Sequence, residues 1–340
     1  MDSNKLLQAH RAVNSLLGKL ALGLEKDQLN QEIISLSEHL FGARKASILR
    51  FDPQQNTLHV EYAPSLPDFY NQAIEGVRVG EKVGSCGAAA FLRQTVVAEN
   101  INHHSNWQPY LALTQKANLH ACWSVPVLSQ DEQVLGTFAI YSDKPSSPSE
   151  AELEILQMLA TLYAVALEKY QCEQQLYDHV NRDPLTQCYN RRMLLQSPHQ
   201  QFSTPEHGQA VVGCFFVDVD DFKYINDRFG HDVGDQVLID LAQWLMTRSP
   251  QEAMIARYGG DEFVIIATFA SEQDFEHFYR QLRIGIKLFF VIEDYSVAVS
   301  IGAASTPAQG VVDLNELIRQ ADLSMYRVKR QHRGISAGLS

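Results

Sequence analysis

A chain of 340 residues with 45% apolar content is long enough for two domains with full cores, and no part of it is low in complexity. The formal net charge of −12 argues against polyanion binding, nucleic acid included, as a main role, so any phosphate ligand needs a local basic cluster. Five cysteines without paired spacing speak against a zinc cluster or disulfide frame, and neither a membrane-length apolar run (about 18 residues) nor an apolar signal core after Met1-Asp2-Ser3-Asn4-Lys5 is present, so a cytoplasmic chain without membrane association is expected. The stripe Leu6, Val13, Leu16, Leu17 and Leu20 predicts a helix over residues 1–22. From 23 to 148, the apolar runs Ala46 to Phe51, Leu58 to Tyr62, Thr95 to Ala98, Cys122 to Leu128 and Val134 to Tyr141 read as short strands. Turn-like Pro53-Gln54-Gln55-Asn56 and Ser129-Gln130-Asp131-Glu132 separate some of them, which suggests a mixed α+β domain.

Within that domain, Gly84-Ser85-Cys86-Gly87-Ala88-Ala89-Ala90, Arg93-Gln94-Thr95-Val96-Val97, Trp107-Gln108-Pro109-Tyr110, Ala121-Cys122-Trp123-Ser124-Val125-Pro126-Val127 and Leu135-Gly136-Thr137-Phe138-Ala139-Ile140 follow in order a pattern that resembles GAF domains. The resemblance implies an antiparallel-sheet sensor with a small-molecule pocket or a plain dimerisation module, and the ligand stays unknown because fold does not name it. Cys86 and Cys122 sit in small or apolar surroundings, which favours buried structural thiols over a redox pair or ligand set. His59, His103, His104 and His120 read as solvated loop residues rather than haem or metal ligands. Trp107 and Trp123 either line a pocket or fill the core.

Ser147-Pro148-Ser149-Glu150 reads as a capping box with proline at the first helical position, and neither Pro nor Gly follows until Pro184. Leu156, Leu159, Tyr163, Ala166, Tyr170, Tyr177 and Val180 fall on one stripe, broken at Glu173. A long helix over 149–182 is expected. Its early part has a domain to pack on, and beyond Glu168 a parallel two-stranded coil is the preferred reading.

In the last segment, Val211 to Val217 is a nearly all-apolar run ending in Asp218-Val219-Asp220-Asp221. About forty residues on, Gly259-Gly260 separates the strand-like Met254 to Tyr258 and Phe263 to Ile266, and is read as a two-residue hairpin turn whose glycines supply positive φ. Asp261 and Glu262 follow it. Acids at the end of a buried strand are costly without a cation. Asp218 brought beside Asp261 and Glu262 would form an all-oxygen site suited to Mg²⁺ or Mn²⁺, and magnesium points to nucleotide phosphates.

Several motifs in order then resemble the GGDEF family of diguanylate cyclases, over roughly Asp183 to Ile335: Asp183-Pro184-Leu185-Thr186 with Asn190-Arg191-Arg192, Phe215 to Asp235, Gly259 to Phe263, Ser300-Ile301-Gly302, and Ala321-Asp322 with Tyr326, Lys329 and Arg333. The resemblance implies a palm-like nucleotidyl cyclase domain over 183–340, giving a two-domain α+β / α/β chain joined by a long helix. It implies condensation of two GTP into cyclic di-GMP and two pyrophosphate across a homodimer. By that resemblance, Asp218, the Val219 carbonyl and Asp261 ligate two cations per active site. Asp261, and less so Glu262, helps deprotonate a ribose 3′-hydroxyl. Lys223 with the amides of Asp221 and Phe222 meets the phosphates, as do Lys329 and Arg333, four residues apart on the closing helix. Asn226, His231 and Asp235 choose the base, a carboxylate matching guanine N1–H and N2–H.

Each assignment has a plainer counterpart. Gly-Gly-Asp is ordinary turn chemistry, Lys329 and Arg333 could be a solvated basic face, and Asp235 could be the N-cap of a helix from Gln236 to Met246. A binding-only signalling scaffold is the first alternative function, opposed by the intact Asp218, Asp261 and Glu262; a mixed cyclic dinucleotide synthase is the second, opposed by Asp235. Two positions depart from the family: Pro250-Gln251-Glu252-Ala253 stands where many members carry an inhibitory Arg-x-x-Asp, with Arg248 out of register, and Gln187-Cys188 replaces the usual Gly-Leu.

Overall fold

The computed structural model describes residues 2–42, 44–196, 210–286, 291–292, 295–308 and 312–336. They divide into two compact units, residues 1–174 and 175–340. In the first, α1 (Asp2–Ala21) and α2 (Lys26–Leu40) lead into β1 (Lys45–Asp52) and β2 (Thr57–Tyr62). The turn between these strands is built by Asp52, whose carboxylate accepts the Gln54 and Gln55 amides at 2.8 and 3.2 Å, while Asn56 takes the left-handed conformation asparagine tolerates. Then come α3 (Asp68–Ile74), β3 (Val77–Arg78), α4 (Cys86–Leu92), β4 (Val96–Ala98), α5 (Leu111–Lys116), β5 (Ala121–Leu128), β6 (Val134–Ser142) and α6 (Glu150–Asn181), whose residues from Gln175 on belong to the second unit.

These strands form an antiparallel sheet in the order β3-β2-β1-β6-β5-β4. Strand alternation splits its side chains between two cores. Ile48, Trp123, Val125 and Phe138 pack with α1, α2 and the first half of α6, whereas Leu49, Cys122, Ala139 and Tyr141 face Tyr70, Cys86 and Trp107. Trp123 therefore fills core, with the Arg44 guanidinium 4.4 Å from its ring, and Trp107 lines a pocket. His59 is not a loop residue; it lies in β2, between Thr57 Oγ1 at 2.9 Å and Glu75 at 2.6 Å.

The helix α6 starts later than the sequence suggested. Its capping box is Ser149 with Glu152, closed by Ser149 N–H to Glu152 at 3.0 Å and Glu152 N–H to Ser149 Oγ at 3.3 Å. This pair satisfies both amides and leaves Pro148 outside the helix. One face of α6 from Ile155 to Ala166, with Leu156, Leu159, Leu162 and Tyr163, is buried with α1 and α2, while every residue from 171 to 177 is exposed, as are the apolar Leu176, Tyr177 and Val180.

The second unit contains β7 (Tyr189–Asn190), α7 (Arg191–Gln196), β8 (Val211–Val219), α8 (Phe222–Phe229), α9 (His231–Arg248), β9 (Met254–Arg257), β10 (Glu262–Phe269), α10 (Glu272–Ile286), β11 (Val291–Ile292), β12 (Tyr295–Ser296), β13 (Val299–Pro307) and α11 (Leu314–Ser336). A mixed sheet orders them β13-β8-β10-β9-β7, parallel only between β7 and β9. Every residue of β8 is buried, as its apolar run implied. Phe215 and Val217 face α9 and α10, with Phe215 stacked on Phe275 at 5.1 Å. Cys214 and Phe216 face α7 and α11.

Close approach of α11 to β13 is possible because residue 302 is glycine. A Cβ there would collide with the backbone of Ala321 and Met325. Gly302→Ala should therefore cost about 1–3 kcal/mol and lift α11 off the sheet. Urea unfolding monitored by hydrogen exchange in α11 checks this, and an unchanged midpoint would mean the helix is not held by that contact.

Candidate active site

Strand register assembles the site. Antiparallel pairing sets Asp218 of β8 opposite Glu262 of β10 on one side and opposite Ser300 of β13 on the other. Directly opposed residues share a face of the sheet, so both carboxylates point toward α11, and Asp220, two residues on, does the same. Ser300 Oγ donates to both Asp220 oxygens at 2.8 and 2.9 Å. From α11, Lys329 Nζ donates to Asp218 and stands 3.9 Å from Asp220.

The glycine pair connects β9 to β10 differently from the expected turn. Tyr258 and Gly259 donate to the Glu262 carbonyl at 2.8 and 3.3 Å, closing a loop over residues 258–261, and neither Gly259 nor Gly260 takes a positive φ. Gly259 is needed for room instead, since a Cβ would strike the Glu262 carboxylate. The loop is pinned from outside by Arg257, whose Nε and Nη2 donate to the Gly260 carbonyl at 3.1 and 2.7 Å while Nη1 reaches both Asp183 oxygens at 3.0 and 3.2 Å. Asp261 itself is tied to β8 through its carbonyl, which accepts Val219 N–H at 3.2 Å.

Electrostatically the cluster is short of positive charge. Burial above all raises the pKa of Asp218, with Asp261 and Asp220 adding to it and Lys329 opposing. Burial likewise raises Glu262, followed by the charges of Asp218, Asp261 and Asp322. Asp183 shows the reverse balance: burial opposes ionisation, but hydrogen bonds from Thr186 and Arg257 outweigh it and hold the group below the usual carboxylate range. All donors in the cluster are oxygens, the set that hard divalent cations prefer. Among the described residues no three His, Cys, Asp or Glu side chains converge tightly enough for a metal on their own, and the expected set has only two carboxylates plus the Val219 carbonyl.

The other anticipated residues lie around the end of β8. Asp221 is left-handed at the N-terminus of α8, where its carbonyl accepts from Tyr224 and Ile225; Phe222 and the exposed Lys223 follow. Asp235 is no N-cap, because α9 already begins at His231, and both side chains are exposed. Asn226 of α8 lies against Gly234, where a Cβ would overlap its Oδ1, an atom buried with no hydrogen-bond partner among the described residues. This packing brings Asn226 next to the turn of α9 that carries Asp235. Arg333 is on α11 four residues beyond Lys329, and its side chain lies outside the described residues. Sequence reasoning missed Asp220, Ser300 and Arg257 as parts of the site. Arg257 beside the glycines and Ser300 in a recurring strand motif were visible, but their partners are 74 and 80 residues away.

A sequence model described as "Diguanylate cyclase, GGDEF domain" matches residues 180–334, and a GAF-domain model matches residues 23–168. The chain belongs to the GGDEF family, with a GAF domain ahead of its GGDEF domain. Similar proteins include the signaling protein YkoW of Bacillus subtilis, 35% identical over 53% of this chain and 23% of its own length. Diguanylate cyclase DgcP of Escherichia coli is 29% identical over 61% of this chain and 63% of its own. The chain thus spans less than two thirds of either relative. A microbial GGDEF domain solved in a study of its interaction with bis-(3′,5′)-cyclic di-GMP is 35% identical over 46% of this chain and 94% of its own, with a TM-score of 0.38.

Lys329→Met tests the charge balance of the GGDEF domain. Removing one partner of this largely buried pair should cost at most about 3–5 kcal/mol at neutral pH. Asp218 and Glu262 have raised folded-state pKa values, so their ionisation opposes folding, and that opposition lifts as pH falls through those values. The loss should therefore shrink on acidification. Calorimetry of the full chain across pH reads it, and a loss independent of pH would contradict the charge account.

Proposed function

We propose that this chain is a diguanylate cyclase, condensing two GTP into cyclic di-GMP and two pyrophosphate across a homodimer under control of its GAF domain. The observation that carries the reading is the opposition of Asp218 and Glu262 across β8 and β10, with both carboxylates raised and Lys329 beside them. Such a cluster would accept a pair of Mg²⁺ or Mn²⁺ ions on Asp218, the Val219 carbonyl and Asp261 once a triphosphate supplies further oxygen ligands. Bound there, the ions supply neutralisation of triphosphate charge.

The chain's own residues have the remaining tasks. Lys223 and the start of α8 meet the β and γ phosphates, and Lys329 turns from Asp218 to the same phosphates together with Arg333. Asp261, with Glu262 behind it, receives the proton of the ribose 3′-hydroxyl as that oxygen attacks the α-phosphorus of the facing nucleotide. Asn226, His231 and Asp235 hold guanine. One domain binds one GTP, so a second copy must present the other in antiparallel orientation, which supplies the proximity contribution to the rate. Exposed Leu176, Tyr177 and Val180 late in α6 support a helical dimer seam, and Pro250 to Ala253 offers no arginine for the family's product-inhibition site.

Incubation of the full chain with GTP and Mg²⁺, or with ATP in parallel, followed by mass spectrometry of products tests the reading. Cyclic di-GMP should form from GTP alone, and Asp261→Asn should reduce it by at least about 10²–10³-fold. Unchanged turnover in that variant would remove Asp261 from the chemistry, and GTP bound without product would favour a scaffold. Asp235→Ser should narrow the preference for GTP over ATP by roughly 10–100-fold; an unaltered ratio would exclude Asp235 from base recognition.

A further inference from the structure

The GAF domain holds a second chemical site that the cyclase reading does not use. Between α3, α4 and the sheet lies a cavity of about 40 Å³ lined by Tyr70, Ser85, Cys86, Trp107 and Tyr141 among others. That volume takes a few heavy atoms, since a single water needs about 10–15 Å³, and it leaves no room for a nucleotide. Cys86 opens α4 and borders this space; Cys122 stands behind it on β5, fully buried. Two hydrogen bonds lock the walls: Trp107 Nε1 donates to Ser85 Oγ at 3.1 Å, and Ser85 Oγ donates to the Cys122 carbonyl at 3.2 Å. Strand register pairs Cys122 with Tyr141, whose hydroxyl is 3.6 Å from Cys86 Sγ.

The thiols are differentiated. A hydrogen bond from the Cys122 thiol, followed by contacts from Ser124 and Tyr141, draws Cys86 down against the cost of burial, whereas burial pushes Cys122 up. Burial also keeps Tyr70 and Tyr141 protonated, so they remain donors. A thiol that borders a cavity and favours its thiolate is the attacking kind; a protonated thiol in the same core cluster, reached through the Ser85 hydroxyl on its carbonyl and through Tyr141, is placed to resolve.

We propose that Cys86 and Cys122 form a hydroperoxide-reactive pair, Cys86 attacking a small peroxide in the cavity and Cys122 closing the disulfide. In the first step the Cys86 thiolate bonds to one peroxide oxygen and the O–O bond breaks; the departing oxygen takes from solvent a proton equivalent to the one Cys86 released on ionising, and leaves as water, or as an alcohol from an alkyl peroxide. In the second, Cys122 sulphur attacks the resulting sulfenic acid, S–S forms, S–O breaks, and the hydroxyl leaves as water with the Cys122 proton. Two thiols are oxidised and one peroxide is reduced. Both thiols are buried, as the sequence suggested, and the proposal adds reactivity to that burial because Cys86 borders the cavity and α4 packs over β5.

The test uses the full chain, reduced, freed of reductant and treated with stoichiometric hydrogen peroxide, then denatured, alkylated and mapped by mass spectrometry without reduction. A linked Cys86–Cys122 peptide is expected, with Cys188 and Cys214 still alkylated. In Cys122→Ser, Cys86 should persist as a sulfenic acid trapped by dimedone; in Cys86→Ser, Cys122 should stay alkylatable. Wild-type protein in which both thiols remain alkylatable while the exposed Cys172 is consumed would overturn the proposal, and so would equal oxidation of Cys122 in the absence of Cys86.

Discussion

The second unit is organised around one constraint: β8 and β10 pair so that Asp218 faces Glu262 across the sheet, and the pairing runs unbroken down to Val211 and Phe269. Slipping either strand by one residue would turn its acid away from α11 and drive Val217 or Phe263, whichever it carries, out of the core. The apolar body of each strand thus holds the acids in place despite their repulsion. Gly302 lets α11 approach closely enough for Lys329 to answer them, and Gly259 leaves room for the Glu262 carboxylate. Local sacrifice at the strand ends is offset by burial along their lengths.

A second layer surrounds this centre. Arg257 holds the 258–261 loop by the Gly260 carbonyl and grips Asp183 just after α6, while Asn190 and Arg192 both donate to the Val180 carbonyl near that helix's end. Asp183 is further occupied by Thr186 N–H and Oγ1. The loop bearing Asp261 is therefore mechanically continuous with the segment that ends α6, through hydrogen bonds to charged groups of about 1.5–3 kcal/mol each.

Much of this was legible from the chain. The acids could be placed because they end an all-apolar run and follow a glycine pair, and the long helix because neither Pro nor Gly interrupts it. What failed was detail set by three-dimensional neighbours. Gly-Gly reads as positive-φ turn chemistry, yet Gly259 is small for the sake of Glu262. Asp235 suits an N-cap by sequence, but α9 starts at His231, five residues before the expected Gln236, with Gly234 packed on Asn226. Gln187, standing where the family has glycine, adopts the left-handed conformation itself, with φ of 60°. Cys86 and Cys122, 36 positions apart, gave no spacing signal; only the fold of α4 over β5 joins them.

Under the proposed function, Asp218, held opposite Glu262, makes this strand end a cation-dependent nucleotide site. Electron paramagnetic resonance of Mn²⁺ titrated into the full chain with a non-hydrolysable GTP analogue measures this directly. Wild type should bind Mn²⁺ only when the nucleotide is present, and Asp218→Asn should abolish that binding with the fold intact by circular dichroism. Equal Mn²⁺ binding in the variant would contradict the claim.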